Sequence, residues 1–155
     1  MHIYGDGPYR KELEKQAALL GGVFLHGAKS FFEMPGVLKS IDILVYTSSH
    51  NHKFQSPIKL YEYMAAKKPI VAAVTPQVKE LLGNEERGLL YPIGDADALA
   101  KKIMMLIEDR ELGKVLAEKA FEEVKKNHTW AKRIGLLFNT LYGKGLIKER
   151  GYDFP

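Results

Sequence analysis

The densest set of chemistry-bearing residues is the run Ser56-Pro57-Ile58-Lys59-Leu60-Tyr61-Glu62. Serine followed by proline reads as an N-cap and first helical residue, because the hydroxyl accepts from an orphan N–H and proline has none to lose. The N–H groups of Ile58 and Lys59 then lack intrahelical acceptors. With the positive end of the helix dipole they form an anion site, and Lys59 adds a point charge suited to a phosphate. Glu62 follows Ile58 by one turn on the same face, where a carboxylate can accept hydrogen bonds from vicinal hydroxyls such as those of a ribose. The same spacing also describes an ordinary capped helix with Glu62 in solvent or paired with Lys59, and residue types alone leave both readings open.

Other reactive side chains are less organised. Gly5 and Gly7 follow an apolar run and suit a tight strand–helix turn better than a phosphate cradle. His50 and His52 lack a third ligand nearby and read as solvated loop residues, while His26 reads equally as a packed, hydrogen-bonded histidine. Thr47-Ser48-Ser49 has hydroxyls without the flanking glycines of a nucleophile elbow. No metal site and no catalytic nucleophile is identified.

These residues must be positioned by elements that alternate in type. Short continuous apolar runs at 2–4, 23–26, 43–47, 70–73 and 89–91 suit strands covered on both faces. Helical spacing of apolar residues occurs at 9–20, 32–40, 57–66 and 77–82 between them. Such alternation predicts an α/β fold with a doubly wound, Rossmann-like parallel sheet. Its ligands bind at the carboxyl ends of the strands, and Ser56–Glu62 follows the strand at 43–47. Beyond Pro92 the spacing predicts helices over 95–108 and 110–127, and a third that Thr129 caps, with Trp130, Phe138 and Leu141 as core. The expected organisation is one domain over 1–142 and an irregular tail over 143–155.

Length and composition agree. A chain of 155 residues without cysteine can bury a core of its own, and it has no disulfide framework, thiolate metal site or cysteine nucleophile. The first eight residues lack a signal-peptide core and no apolar run nears the ~18 residues of a membrane span, so a cytoplasmic domain is expected. The net charge of +4 lies entirely in residues 101–155, which hold 12 Lys and Arg against 8 Asp and Glu. Lys125-Lys126 and Lys132-Arg133 read first as a solvated helix face and second as a weak, peripheral contact to anionic lipid. A nucleic-acid footprint would be larger and interleaved with aromatics.

In order along the chain stand Tyr4-Gly-Asp-Gly-Pro8, Val23-Phe-Leu-His-Gly27, Asp42-Ile-Leu-Val-Tyr46, the 56–72 segment, Gly88-Leu-Leu-Tyr-Pro92, Gly94-Asp95 and Thr129-Trp130. This ordered set resembles the C-terminal, donor-binding domain of GT-B glycosyltransferases of the group 1, or family 4, class. The resemblance implies a retaining transferase whose nucleotide-sugar donor sits on this domain. Ser56 and the Ile58 and Lys59 amides would hold the diphosphate, Glu62 the ribose, and Gly27, Ala28 and Lys29 would lie against the base. It implies no metal cofactor, because helix dipole and cationic side chains stabilise the leaving diphosphate. It also implies an N-terminal acceptor-binding domain, in cis or in trans, as partner. The first strand begins at residue 2, so the chain is expected to enter mid-pattern and to lack the family's Arg and Lys that precede this region. Phe54 stands eight residues before Glu62, where the family's E-x7-E motif has its first glutamate, which puts the donor-sugar contact in doubt. The alternative reading is a truncated or standalone nucleotide-binding module without turnover of its own. A phosphoacceptor receiver is set aside because Asp42 lies at the wrong end of its strand.

Overall fold

A computed structural model describes residues 1–48 and 57–147. Its elements run β1 (His2–Ile3), α1 (Arg10–Leu20), β2 (Phe24–Leu25), α2 (Met34–Ser40), β3 (Leu44–Tyr46), α3 (Ile58–Ala65), β4 (Ile70–Ala73), α4 (Pro76–Leu82), β5 (Leu89–Tyr91), α5 (Ala96–Glu108), α6 (Arg110–Asn127) and α7 (Trp130–Gly143). Each coincides with an expected segment. The residues form two compact units, Met1–Ser40 and Ile41–Pro155.

In the first unit β1 and β2 pair in parallel, with Ile3 opposite Leu25. The Gly5 amide donates to the Gly27 carbonyl at 2.8 Å and Gly7 donates to the Asp6 carboxylate, so the glycine turn is stitched by local bonds. Expectation and observation differ on burial. His2, Phe24 and His26 are exposed, and the alternation is one residue out, one partly in. Their rings form a ladder on one face, Phe24–His2–His26–Tyr4, with centroids 4.5 to 5.1 Å apart. His2 Nδ1 and His26 Nε2 share a 2.8 Å hydrogen bond. Stacking satisfies rings that a covering layer was expected to bury.

In the second unit β4 is central, flanked in parallel by β3 and β5. All four of its residues are buried, as a strand covered on both faces must be. Val71 and Ala73 join Leu89, Tyr91, Leu106 and Leu116 in one cluster against α5 and α6. Ile70 and Ala72, alternating with them, are equally inaccessible. Gly88 and Gly113 mark close approaches. A Cβ on Gly88 would stand 3.1 Å from the Ile70 carbonyl oxygen, and one on Gly113 would stand 3.1 Å from the Pro69 ring.

The edge strand β5 is secured from the side. Glu85, in the left-handed region at φ 71°, accepts hydrogen bonds from the Leu90 amide at 2.8 Å and from Lys102 Nζ at 2.6 Å. Burial pushes its carboxyl up, but the hydrogen bonds from Lys102 and Leu90 more than reverse this, and it sits below the usual glutamate range. One correction concerns α7. Thr129 caps it as expected, accepting from the Lys132 amide at 3.3 Å, yet none of its residues is buried and Trp130 is 81% exposed. Trp130 is therefore not core. Ile134, Phe138 and Leu141 take the half-buried side, and 130 falls at its margin.

Candidate functional site

The carboxyl edge of the three-stranded sheet is where α3, α4 and α5 begin. Two of these starts are closed by their own side chains. Thr75 Oγ1 accepts from the Val78 amide at 3.2 Å, and Asp95 Oδ1 from the Ala98 amide at 2.8 Å. At α3 the Pro57 carbonyl accepts from Leu60 at 2.8 Å and Tyr61 at 3.4 Å. The Ile58 and Lys59 amides have no acceptor among the described residues. Ser56, the expected N-cap, lies outside the described residues, as do His50, His52 and Phe54. Pro57 itself differs from expectation. At φ −80° and ψ 63° it stands just outside the helix, as the cap residue rather than the first helical one, because that ψ is not helical.

Why α3 presents this end to solvent follows from its spacing. Leu60 and Met64, one turn apart, are fully buried and fix the helix rotation. Burial on that scale contributes about 1.5–3 kcal/mol per side chain. Ile58 and Lys59 consequently point outward, and Glu62 is half-buried. Among the described residues the Glu62 carboxylate makes no hydrogen bond or ion pair with another side chain, and Lys59 forms no ion pair. The local Lys59–Glu62 pairing that spacing allowed is therefore not made.

Tyr63, next to Glu62, and Tyr46, near Tyr63, were not singled out as site residues from sequence. Burial first, then the negative charge of Glu62 and the neighbouring Tyr46 hydroxyl, push the Tyr63 phenol up from its usual value. Tyr46 ends β3 and Tyr63 adjoins Glu62, so position relative to the strand end was the available signal. The far side of α3 is held by α6 and α7. Tyr61 packs on the His128 ring at 5.3 Å and carries the Arg133 guanidinium at 5.8 Å. His128 meets Glu123 at 3.1 Å, and Arg87 lies 3.8 Å from the same carboxylate. The Asn127 hydrogen bond foremost, then the Arg87 charge and His128, outweigh burial and hold the Glu123 carboxyl low. At the other end Lys67 pairs with Glu118 at 2.6 Å.

Gly27, Ala28 and Lys29 form the turn after β2 in the first unit. Gly27 is buried at φ 71°, and a Cβ there would meet the Arg10 guanidinium at 3.0 Å. The positive φ calls for glycine, whereas the guanidinium, the end of a flexible side chain, can move aside. Ala28 and Lys29 are exposed, with Lys29 3.7 Å from Glu33. Among the described residues no cluster of three or more His, Asp or Glu is spaced to hold a metal ion.

The model of the family described as glycosyl transferases group 1 matches residues 1–123. The chain belongs to that family. A sulfoquinovosyl transferase of Arabidopsis thaliana is 26% identical over 92% of this chain and 28% of its own length. HepE of Anabaena, solved in complex with UDP-glucose, superposes with a TM-score of 0.79 at 25% identity, over 92% of this chain and 40% of that one. The C-terminal domain of a group 1 glycosyl transferase, LpcC of Francisella tularensis, gives 0.67 at 28% identity over 79% and 63%. The group 1 chain is accordingly a Rossmann-like α/β domain, the C-terminal part of a GT-B architecture with added C-terminal helices. It spans about a third of the length of the curated relatives it matches.

Proposed function

We propose that residues 1–142 are the donor-binding domain of a retaining glycosyltransferase that takes its sugar from a nucleoside diphosphate. The observation that carries this is the placement of the α3 start at the carboxyl edge of the parallel sheet. Among the described residues the Ile58 and Lys59 amides have no acceptor and the Glu62 carboxylate, one turn on, has no side-chain partner, at the carboxyl edge of a parallel sheet. In this reading Ser56, Ile58 and Lys59 hold the diphosphate, Glu62 the ribose hydroxyls, and Gly27, Ala28 and Lys29 the base. Charge developing on the leaving diphosphate is met by oriented N–H groups and Lys59, with no metal ion. Binding of UDP-glucose by HepE supports the substrate class. A cytoplasmic location is part of this reading. The acceptor would be held by an N-terminal domain, in cis or in trans.

Calorimetric titration with UDP, GDP and UDP-glucose tests the site. Saturable binding unaffected by EDTA is expected. Glu62→Ala should weaken it roughly tenfold or more, since hydrogen bonds to a charged acceptor are worth about 1.5–3 kcal/mol. Affinity unchanged in that variant would remove Glu62 from the site. A second reading, favoured by coverage of only 40% of HepE, is that this chain binds donor without turnover. Glycosyl transfer by the 155-residue chain alone would overturn it.

A further inference from the structure

We infer that His128, acting through the ring of Tyr61, is the positioning residue for the first turn of α3 and so for Glu62, given the donor reading of that turn. A helix start left open for an anion cannot be closed by a side chain of its own. The starts of α4, α5, α6 and α7 are closed, because Thr75, Asp95, Asp109 and Thr129 each accept from the amide three residues on. At α3 the cap residue is Pro57, which makes no side-chain cap bond. Ile58 and Lys59 are exposed, and Glu62 has no side-chain partner among the described residues. The turn is therefore held from the side, by Leu60 in the core and by Tyr61 against the end of α6.

The Tyr61 and His128 rings are both half-buried, with centroids 5.3 Å apart and planes at 47°. Arg133, over the same tyrosine ring, is farther away at 5.8 Å. His128 is itself firmly placed. Its amide donates to the Val124 carbonyl at 3.0 Å, and its Nε2 meets the Glu123 carboxylate at 3.1 Å. Glu123 also accepts from Asn127 Nδ2 at 3.0 Å and lies 3.8 Å from Arg87, which donates to the Leu81 carbonyl at 2.9 Å. The imidazole is thus tied to the end of α6 and, through Arg87, to the end of α4. A ring with one nitrogen on a carboxylate has its plane set, and so sets the ring that packs against it. Tyr61 adjoins Glu62 in the helix, so a shift of this turn carries with it the carboxylate that would receive the ribose hydroxyls.

The test is calorimetric titration of the 155-residue protein with UDP and GDP and with their 2′,3′-dideoxy forms. In the parent the hydroxyls should be worth about tenfold in affinity, the same loss that Glu62→Ala gives with the intact nucleotide. In His128→Ala, folded by far-UV circular dichroism, that ratio should fall to about twofold or less. Tyr61→Leu, which keeps apolar bulk and helix propensity, should do the same and serves where His128→Ala does not fold. Tyr61→Phe keeps the ring and should restore the ratio. A role confined to stability would lower the melting temperature of the unliganded variants and leave the ratio at its parent value. That result in either folded variant would overturn the inference while the donor reading stands, and so would a ratio lost equally in Tyr61→Phe. Binding of neither nucleotide by the parent, or equal parent affinity for the dideoxy forms, would overturn the donor reading and this inference with it.

Discussion

The two parallel sheets of this chain are built from similar apolar runs and differ in what covers them. In β4 every residue is sealed, with Val71 and Ala73 facing one layer and Ile70 and Ala72 the other. In β1 and β2 half the residues face water, and the first unit buries only Ala17, Gly27 and Leu38. A segment of about 40 residues has too little interior to exclude solvent from both faces of a strand pair. Ring stacking among Phe24, His2, His26 and Tyr4 covers the open face instead. Stability should therefore concentrate in the three-stranded sheet, and substitutions can break that contrast.

The largest effect is expected from emptying the sealed side. Leu82, at 0% exposure, should cost about 2–5 kcal/mol when replaced by alanine, whereas Leu20, at 76%, should cost little. Urea denaturation of both variants measures the difference, and equal midpoints would show that the two regions are not distinct. Glycines give a contrast of sign. Gly88→Ala forces a Cβ against the Ile70 carbonyl and the Leu82 side chain and should destabilise by about 1–3 kcal/mol. Gly36→Ala in α2 meets nothing within 4 Å and should stabilise by up to about 1 kcal/mol. Thermal melts of the pair check both signs.

The smallest effect is acid sensitivity of the second unit. Glu85 and Glu123 sit below the ordinary glutamate value of 4.5, so their contribution is complete above that value. It is lost as pH falls through the lower folded values, because the unfolded chain binds the protons first. The side chains are 38% and 24% exposed, and with water screening each is worth under about 1 kcal/mol. Urea midpoints across that acid window should fall less steeply in Glu85→Gln, Glu123→Gln than in the parent. An identical slope would mean that these carboxylates do not support the sheet.

Element type and order were legible because hydrophobic period is a local property. Runs such as 70–73 and spacings such as Leu60–Met64 state strand or helix without knowledge of neighbours. The caps at Thr129 and Asp95 are local too, since hydroxyl or carboxylate and amide lie three residues apart. The N-terminal end of α3 and the position of Glu62 belong to the same class, which is why the candidate site could be written down from residues 56–62. What a local pattern does not carry is the far partner. That Trp130 faces outward, that Tyr46 comes beside Tyr63, and that Glu85 reaches Lys102 depend on residues distant in sequence. An aromatic at helical spacing specifies a face of its helix, but only the packing of α6 against α7 decides how much of that face is covered. The sequence by itself thus determined the parallel α/β order and which helix start carries the candidate site. Tertiary packing decided which apolar residues reach the interior, because burial is set by the layers that neighbouring elements supply.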